Sequence, residues 1–300
     1  MISVEPNDAI LGATIGGLDL ARGVSEREFA VLLGALAQYG VLRIPEQAID
    51  VPALKAFAEK FGSLEINVAN QYHAPGHPDV MILSNIVEDR KPIGLADAGQ
   101  GWHTDMSYSH TIAFANVLYA VQVPRRDGIA LGATEFANMY AAYDDLPQAL
   151  KSSLATATAT HDFNKFWEEM RRRPGSTRAP LTEAQRRQKP PVSHPVFLTH
   201  PVSGRTVLYA NPGYAVRIDG MAEDESDGML ELLFEHQLQP QYRYVHRWAE
   251  RDVLIWDDLC TLHQAWPDYG PDEHRLMQRC QVMADRVFDP AFIARAAAPA

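Results

Sequence analysis

A His-x-Asp pair, His103 and Asp105, is a feature of the sequence that could hold a metal ion. On a strand, residues two apart point to the same face, so both side chains could reach one cation. The chain has 11 histidines and 38 acidic residues, so such pairs also arise by chance. A second pair, His77 and Asp79, lies in a segment rich in proline and glycine, 75–79, which predicts a turn. Context therefore favours the first pair as the candidate metal site.

A third metal ligand is expected later in the chain, at His263. It follows residues 253–258, Val-Leu-Ile-Trp-Asp-Asp, which predict a buried strand and its turn. Two histidines and one carboxylate on one face of an octahedron leave positions open, as in non-haem Fe(II) oxygenases. His103, Asp105 and His263 are therefore the predicted metal ligands and catalytic centre.

Two arginines, Arg275 and Arg279, are four residues apart on a segment that predicts a strand. This spacing puts both guanidinium groups on one face. Like charges near a core are costly unless negative groups meet them, and residues 276–282 contain no acid. The sequence therefore predicts that bound anions are the partners of these arginines.

Four motifs resemble those of the taurine dioxygenase and 2,4-dichlorophenoxyacetate dioxygenase family of Fe(II)- and 2-oxoglutarate-dependent enzymes. The motifs are Trp102-His103-Thr104-Asp105, Leu131-Gly132-Ala133-Thr134, the segment from Trp256 to His263, and Arg275-Leu276-Met277-Gln278-Arg279. The resemblance extends from about Gly12 to Pro290. It implies a double-stranded β-helix, a cupin-like jelly roll, whose two sheets enclose the metal.

The resemblance also implies roles for individual residues. The three predicted ligands would bind Fe(II), and Arg275 would pair with the distal carboxylate of 2-oxoglutarate through a planar fork. Thr134 matches the threonine that hydrogen-bonds this cosubstrate, with a plain turn residue as the alternative. The sequence departs from the family at Ala133, where an aspartate is usual. The cofactors implied are Fe(II), 2-oxoglutarate and O2.

The substrate implied by the resemblance is a small organic anion. Arg279 matches the arginine that binds the substrate anion in sulfonate-using members, with an ion pair near the metal as the alternative. The residues that align with the substrate pocket are Arg279, Tyr108, Trp167, Tyr214, Asn67 and Asn70. Taurine-specific members carry His and Tyr at the last two positions. An alkyl sulfonate, a sulfate ester or an aryloxyalkanoate is therefore expected rather than taurine.

The reaction implied is hydroxylation of an unactivated C–H bond, with succinate and CO2 as co-products. Two other classes stay open: a non-haem iron oxygenase that does not use 2-oxoglutarate, and a non-catalytic jelly roll that binds a metal or an anion. Arg275 and Thr134 argue against the first class, and the complete triad argues against the second. Asp105 favours hydroxylation, because related halogenases lack this carboxylate.

Composition disfavours several other functions. The 300-residue chain has 27 basic and 38 acidic residues, and its net charge of −11 disfavours binding to nucleic acid or to an anionic membrane surface. No apolar run reaches the roughly 20 residues that span a bilayer, and the N-terminus shows no signal-peptide pattern. The expected location is the cytoplasm, with Cys260 and Cys280 as reduced thiols. The family resemblance is compatible with a homodimer or a homotetramer.

Short strands separated by Gly, Pro, Asn and Asp are predicted after Gly62. Before them, residues 25–62 predict two amphipathic helices, the first with a capping box that starts at Ser25 and the second ending at Gly62. Alternating short strands of this kind favour an antiparallel sandwich or barrel.

The domain organisation expected from these patterns is a single domain, 1–300, mainly β with flanking helices. Its jelly-roll core is placed at about residues 80–288. A helical or lid insert is placed at about 138–190, beginning with one long helix that runs to about residue 158.

Overall fold

The computed structural model describes residues 2–66, 71–173 and 178–296. Its helices are α1 (Glu26–Tyr39), α2 (Val51–Ala58), α3 (Met139–Asp144), α4 (Gln148–Ser153), α5 (Phe163–Arg171), α6 (Glu183–Gln188), α7 (Glu223–Gln237) and α8 (Pro290–Ile293). Its strands are β1 (Ser3–Pro6), β2 (Ala13–Gly16), β3 (Val41–Ile44), β4 (His73–Ala74), β5 (His77–Ser84), β6 (Val87–Glu88), β7 (Lys91–Pro92), β8 (Ala113–Gln122), β9 (Arg125–Arg126), β10 (Ile129–Ala130), β11 (Thr134–Asn138), β12 (Thr158–His161), β13 (Val192–Pro195), β14 (Phe197–Thr199), β15 (Thr206–Leu208), β16 (Ala215–Ile218), β17 (Arg243–His246), β18 (Val253–Asp257), β19 (Thr261–Ala265) and β20 (Leu276–Met283). The prediction of a mainly β chain with flanking helices is confirmed.

The largest sheet has eight strands in the order β1-β2-β3-β18-β8-β20-β5-β4. Strand β8 lies inside it, antiparallel to β18 on one side and to β20 on the other. Residues 113–120 of β8 are all buried, because both faces of the sheet are covered here. The register pairs Leu118 with Leu254 on one side and with Arg279 on the other, so these side chains share one face.

Helices α1 and α2 cover the outer face of this sheet. The Ser25 hydroxyl accepts from the Glu28 amide while the Glu28 carboxylate accepts from the Ser25 amide, so the predicted capping box is present. α1 stops at Gly40, whose φ of +70° suits a residue without a Cβ. α2 ends at Ala58, earlier than predicted, because the following turn tightens to bonds between residues three apart. Among the described residues, we find no helix with the length and apolar character to span a membrane.

A three-stranded sheet, β17-β11-β19, packs against the inner face of the large sheet. The ring centroids of Phe136 in β11 and Trp256 in β18 are 5.5 Å apart. Pairing of β11 with β19 places Phe136 opposite His263. The predicted metal ligand therefore lies in the layer where the apolar faces of the two sheets meet.

The segment predicted as one long helix, 138–158, is instead two short helices followed by a strand. Pro147 lies between α3 and α4, where a proline cannot continue the preceding helix. Strand β12 then begins at Thr158, between β13 and β16 in a separate sheet whose apolar face packs on α7.

The second His-x-Asp pair, His77 and Asp79, begins strand β5 instead of forming a turn. Strand β4 pairs with it, Ala74 opposite His77, and this pairing holds the segment extended. Asp79 forms an ion pair with Lys55 of α2, so its carboxylate has a structural partner.

Candidate active site

The predicted ligands His103, Asp105 and His263 come together between the two sheets. Their ligand atoms lie within 4.8 Å of one another, and all three residues are buried. Backbone hydrogen bonds join the histidines in both directions, from His103 N to His263 O at 3.1 Å and from His263 N to His103 O at 2.8 Å. This isolated bridge fixes the distance between two residues that are far apart in the sequence.

His103 and Asp105 do not share a strand face, contrary to the prediction. The chain turns directly after the bridge at His103, and Met106 adopts a φ of +55°. Thr104 donates its hydroxyl proton to the Asp258 carbonyl and so holds the turn against the large sheet. A turn, rather than strand alternation, therefore places Asp105 beside the histidines.

A hydrogen bond fixes how the His103 ring faces the site. Its Nδ1 lies 2.7 Å from the Gly101 carbonyl oxygen, which can only accept, so Nδ1 carries the proton. Nε2 then keeps a lone pair and lies 3.6 Å from Asp105 Oδ1. Metal-binding histidines usually donate their second ring N–H in this way.

The charges at the site suit a divalent cation. Burial alone would raise the pKa of Asp105, but Arg279 and the two histidines bring it well below its ordinary value. Burial, followed by the neighbouring His103, holds the pKa of His263 well below its ordinary value. A carboxylate and neutral imidazoles are the forms in which these residues bind metals. The donor set therefore fits Fe(II).

Two polar residues next to the triad were missed by the sequence analysis. The Asn116 amide nitrogen lies 2.8 Å from both Asp105 Oδ2 and Asp258 Oδ2. Burial, and then the nearby Asp105, raise the pKa of Asp258 well above its ordinary value. Asn116 carries no local signal, because it stands alone in an otherwise apolar strand run. Asp258 follows directly on the predicted strand, and only its burial beside the triad distinguishes it.

Two cavities adjoin the triad. The first, with a volume of about 390 Å³, is lined by residues that include His263, Arg275 and Thr134. Thr134 Oγ1 accepts a hydrogen bond from Trp248 Nε1 at 3.0 Å. Arg275 is buried, and its Nε has no hydrogen-bond partner among the described residues. The predicted cosubstrate residues therefore lie together, on the His263 side of the site.

The turn before Thr134, in the motif from Leu131 to Thr134, is fixed by residues that lie outside this motif. The Asp268 carboxylate accepts a hydrogen bond from the Gly132 amide at 2.6 Å. A Cβ on Gly132 would approach the Arg275 side chain to 3.1 Å, and its φ is +68°, so glycine is required here. Ala133 is buried, and its carbonyl accepts from the Trp266 amide at 2.9 Å. An aspartate inside the motif is therefore not needed to fix this turn.

The second cavity, of about 680 Å³, adjoins the triad on the side of Asp105. Aromatic rings dominate its wall: Tyr108, Phe163, Phe166, Trp167 and Tyr214. The ring centroids of Tyr108 and Tyr214 are 4.8 Å apart, and those of Phe166 and His103 are 5.0 Å apart. Four predicted substrate residues, Tyr108, Trp167, Tyr214 and Arg279, thus line this cavity, whereas Asn67 and Asn70 lie outside the described residues.

Arg279 lines both cavities. One of its terminal nitrogens lies 3.4 Å from Asp105 Oδ2. The sequence predicted that bound anions would be its partners because its own strand has no acid. The structure adds a protein partner that this prediction left out, because Asp105 reaches Arg279 from a distant turn. The Nε of Arg279 has no hydrogen-bond partner among the described residues, so a further acceptor can be bound.

The rim of the second cavity contains an ion pair that the sequence analysis did not identify. Arg178 binds both carboxylate oxygens of Asp97, at 3.0 and 2.7 Å. Its guanidinium lies 5.0 Å from the ring centroid of Trp167, whose Nε1 donates to the Ala179 carbonyl. These contacts connect α5 and the chain after it to the segment before the triad.

Comparison with known sequences shows that the family resemblance of the four motifs extends along nearly the whole chain. The family described as taurine catabolism dioxygenase TauD, TfdA family matches residues 3–281. A pentalenolactone F synthase from Streptomyces arenae is 31% identical, with 97% of each chain covered. An alpha-ketoglutarate-dependent 2,4-dichlorophenoxyacetate dioxygenase from Burkholderia sp. (strain RASC) is 33% identical, with 91% of each chain covered.

Solved structures agree with the sequence comparison. AAD-2 in complex with Mn(II) and N-oxalylglycine has a TM-score of 0.77 at 27% identity, covering 94% of this chain and 97% of that chain. A taurine dioxygenase from Burkholderia xenovorans has a TM-score of 0.75 at 28% identity, covering 95% and 91%. The protein therefore belongs to the taurine catabolism dioxygenase TauD, TfdA family, and it is a dioxygenase that depends on Fe(II), 2-oxoglutarate and O2.

Proposed function

We propose that this enzyme hydroxylates a small organic anion, with His103, Asp105 and His263 as the iron ligands. The observation that carries the proposal is the buried set of two imidazoles and one carboxylate between two cavities of different character. We also propose a double-stranded β-helix for the fold, since the large and the three-stranded sheets face each other across this site.

The first cavity is the proposed cosubstrate site. Arg275 would bind the distal carboxylate of 2-oxoglutarate, because a buried guanidinium offers two parallel donors to a carboxylate. Trp248 can only donate, so Thr134 accepts from it and keeps its own proton for a second acceptor. The Thr134 hydroxyl is thereby available to a cosubstrate oxygen.

The second cavity is the proposed substrate site. Arg279 would attract an anionic head group, and the aromatic wall would bury an apolar or aromatic body. This combination favours an aryloxyalkanoate, or an alkyl sulfonate or sulfate ester with an apolar chain, over taurine. Four relatives are named for phenoxyalkanoates, two for 2,4-dichlorophenoxyacetate and two for (S)-phenoxypropionate.

The chemistry proposed for the site is oxidation of an unactivated C–H bond. Fe(II) bound with 2-oxoglutarate supplies this oxidation from O2, with succinate and CO2 as co-products. The residues of the chain would bind and orient both organic molecules and exclude water, and Phe166, whose ring centroid lies 5.0 Å from that of His103, would contribute to this exclusion. If the hydroxylated carbon bears an ether or ester oxygen, the product would collapse to a carbonyl compound and release the leaving group.

An anaerobic titration tests the cosubstrate assignment. Adding Fe(II) and 2-oxoglutarate to the metal-free protein should produce the visible iron-to-oxoacid charge-transfer band. His263→Ala should give no band, because it removes one proposed ligand. If iron-loaded wild-type protein gives no band, the roles of Arg275 and Thr134 are wrong.

A substrate screen tests the anion assignment. Succinate release should rise with 2,4-dichlorophenoxyacetate, (S)-phenoxypropionate or alkyl sulfonates, and less with neutral analogues of the same shape. Arg279→Gln should raise the KM for the active anion about 10-fold or more, since it removes a charge-assisted hydrogen bond. An unchanged KM, or activity with neutral compounds only, would contradict the proposed substrate class.

A further inference from the structure

Asn116 is a polar residue in the middle of an apolar strand. It is completely buried in β8, on the face of the large sheet that meets the three-stranded sheet. The register places Trp256 and Gln281 on either side of it, and Leu118 lies two positions along the same face. A buried amide in such surroundings is unfavourable unless its polar atoms are hydrogen-bonded. Asn116 Oδ1 has no hydrogen-bond partner among the described residues, so the two hydrogen bonds made by its amide nitrogen indicate why the side chain is there.

Both hydrogen bonds of the Asn116 amide nitrogen are accepted by carboxyl groups at the proposed iron site. The Asn116 Nδ2 donates to Asp105 Oδ2 and to Asp258 Oδ2, each at 2.8 Å. An amide NH2 has two donors, so the nitrogen is fully used. Asp258 Oδ1 accepts from Trp256 Nε1 at 3.2 Å and lies 3.9 Å from His263 Nδ1. The amide thus connects the environments of two triad residues.

The two oxygens of Asp105 have different surroundings as a result. Oδ2 faces the Asn116 amide at 2.8 Å and Arg279 at 3.4 Å. Oδ1 is the oxygen that lies 3.6 Å from His103 Nε2, the ring nitrogen that keeps its lone pair. The hydrogen bonds therefore occupy one oxygen and leave the other directed at the triad.

We propose that Asn116 is a positioning residue for the metal site. It holds Asp105 so that Oδ1 alone is presented to the cation, and it fixes this carboxylate to Asp258 beside His263. A carboxylate that binds through one oxygen leaves the other coordination positions for 2-oxoglutarate and O2. The inference rests on the proposed iron ligands and adds a residue that does not itself touch the metal.

Metal affinity in the full-length protein tests the role of Asn116. Mn(II) serves as the probe, with binding measured anaerobically by calorimetry and by the loss of the free-ion electron paramagnetic resonance signal. Asn116→Leu keeps a similar shape and removes both donors. We expect its Kd for Mn(II) to rise about 10- to 100-fold, the usual effect of removing a residue that orients a metal ligand.

The matched control is Gln47→Leu. Gln47 is also a buried amide, and it makes three hydrogen bonds, to the backbone of Leu18, Leu20 and Pro45 at the N-terminal end of the chain. Both substitutions should lower the Tm, because each leaves buried groups without partners. Only the Asn116 substitution should weaken Mn(II) binding, which separates positioning from general stability.

Asn116→Ser is the second variant if Asn116→Leu does not fold, because a short hydroxyl cannot reach both carboxyl groups. A Kd within about tenfold of wild type in the folded variant would overturn the role of Asn116. His263→Ala distinguishes the two proposals. If it also binds Mn(II) like wild type, the proposed iron site is wrong; if it loses binding while the Asn116 variant keeps it, only the present inference fails.

Discussion

At the scale of single residues, the site depends on partners that determine which atom of each functional group is available. The Gly101 carbonyl fixes the proton of His103 on Nδ1. The indole N–H of Trp248 donates to the Thr134 hydroxyl oxygen, so the hydroxyl proton of Thr134 stays available for another acceptor. These partners carry no reactive group, so residue type alone does not identify them in the sequence.

Trp248→Phe removes the indole N–H and keeps most of the packing. We expect the KM for 2-oxoglutarate to rise about fivefold, because one hydrogen bond that orients the Thr134 hydroxyl is worth about 1 kcal/mol. Succinate formation against 2-oxoglutarate concentration measures this effect. Thr134→Val should have a similar effect, and the double variant should be no worse than either single one. Effects that multiply would mean that Trp248 acts independently of Thr134.

Arg275→Lys keeps the positive charge and removes the planar fork. The KM for 2-oxoglutarate should rise about 10- to 100-fold, since an ammonium group cannot bind a carboxylate through two parallel bonds. Arg126→Lys is the control, because Arg126 also makes a fork, with Glu273, but on the exposed surface. That change should leave the KM unaltered. Equal effects of the two substitutions would contradict the role of Arg275.

At the scale of elements, the strands position the site, and helices α1 and α2 cover the opposite face of the large sheet. Strands β18, β8 and β20 present one continuous face toward β11 and β19, and the residues of the site lie where these faces meet. Helix α1 packs on the opposite face and contributes no residue to either cavity. Substitutions in α1 should therefore change the stability of the protein without changing its catalytic activity.

Ser25→Ala removes the N-cap of α1. The free energy of unfolding should fall by about 1 kcal/mol, because the first turn loses its side-chain acceptor. Urea denaturation measures this change, and the KM for 2-oxoglutarate should stay at its wild-type value. Ser25→Asp should restore most of the stability, since aspartate also caps helices. A change in KM would show that α1 affects the site after all.

At the scale of the whole molecule, the burial of two histidines contributes to the loss of stability in acid. Burial lowers the pKa of His161 to about 3 and that of His246 to about 4, from an ordinary value of 6.5. Below pH 6.5 the unfolded chain therefore takes up protons on these residues that the folded chain does not. Above pH 6.5 these two histidines are neutral in both states and cost no stability. The free energy of unfolding falls as the pH drops from 6.5 toward 4 for His246 and toward 3 for His161.

Lowering the pH from 6.5 to 5 should reduce the free energy of unfolding by about 2 kcal/mol for each of these two histidines. Urea denaturation across this range measures the slope. His161→Gln should be less stable at pH 7 but should lose less stability on acidification, because one titrating group is removed. A slope equal to that of wild type would contradict the assignment for His161.

The amino-acid sequence alone indicated the class of chemistry at the site. The residue types and order of His103, Asp105 and His263 indicated a metal site, and the family resemblance implied a cosubstrate partner in Arg275. Comparison with known proteins confirmed the family. Helix α1 was also predictable, because its capping box and its terminal glycine are local signals. Such features depend on neighbours a few residues away, and the sequence displays these directly.

The assembly of the site depends on contacts that form only when the chain folds. The bridge between His103 and His263, the approach of Arg279 to Asp105 and the amide of Asn116 all join residues from different elements. Contacts between distant elements also explain why the turn predicted around residues 77–79 is wrong. That segment is extended because a neighbouring strand pairs with it. Register and sheet packing bring together residues that have no local relationship, and local spacing cannot encode those contacts.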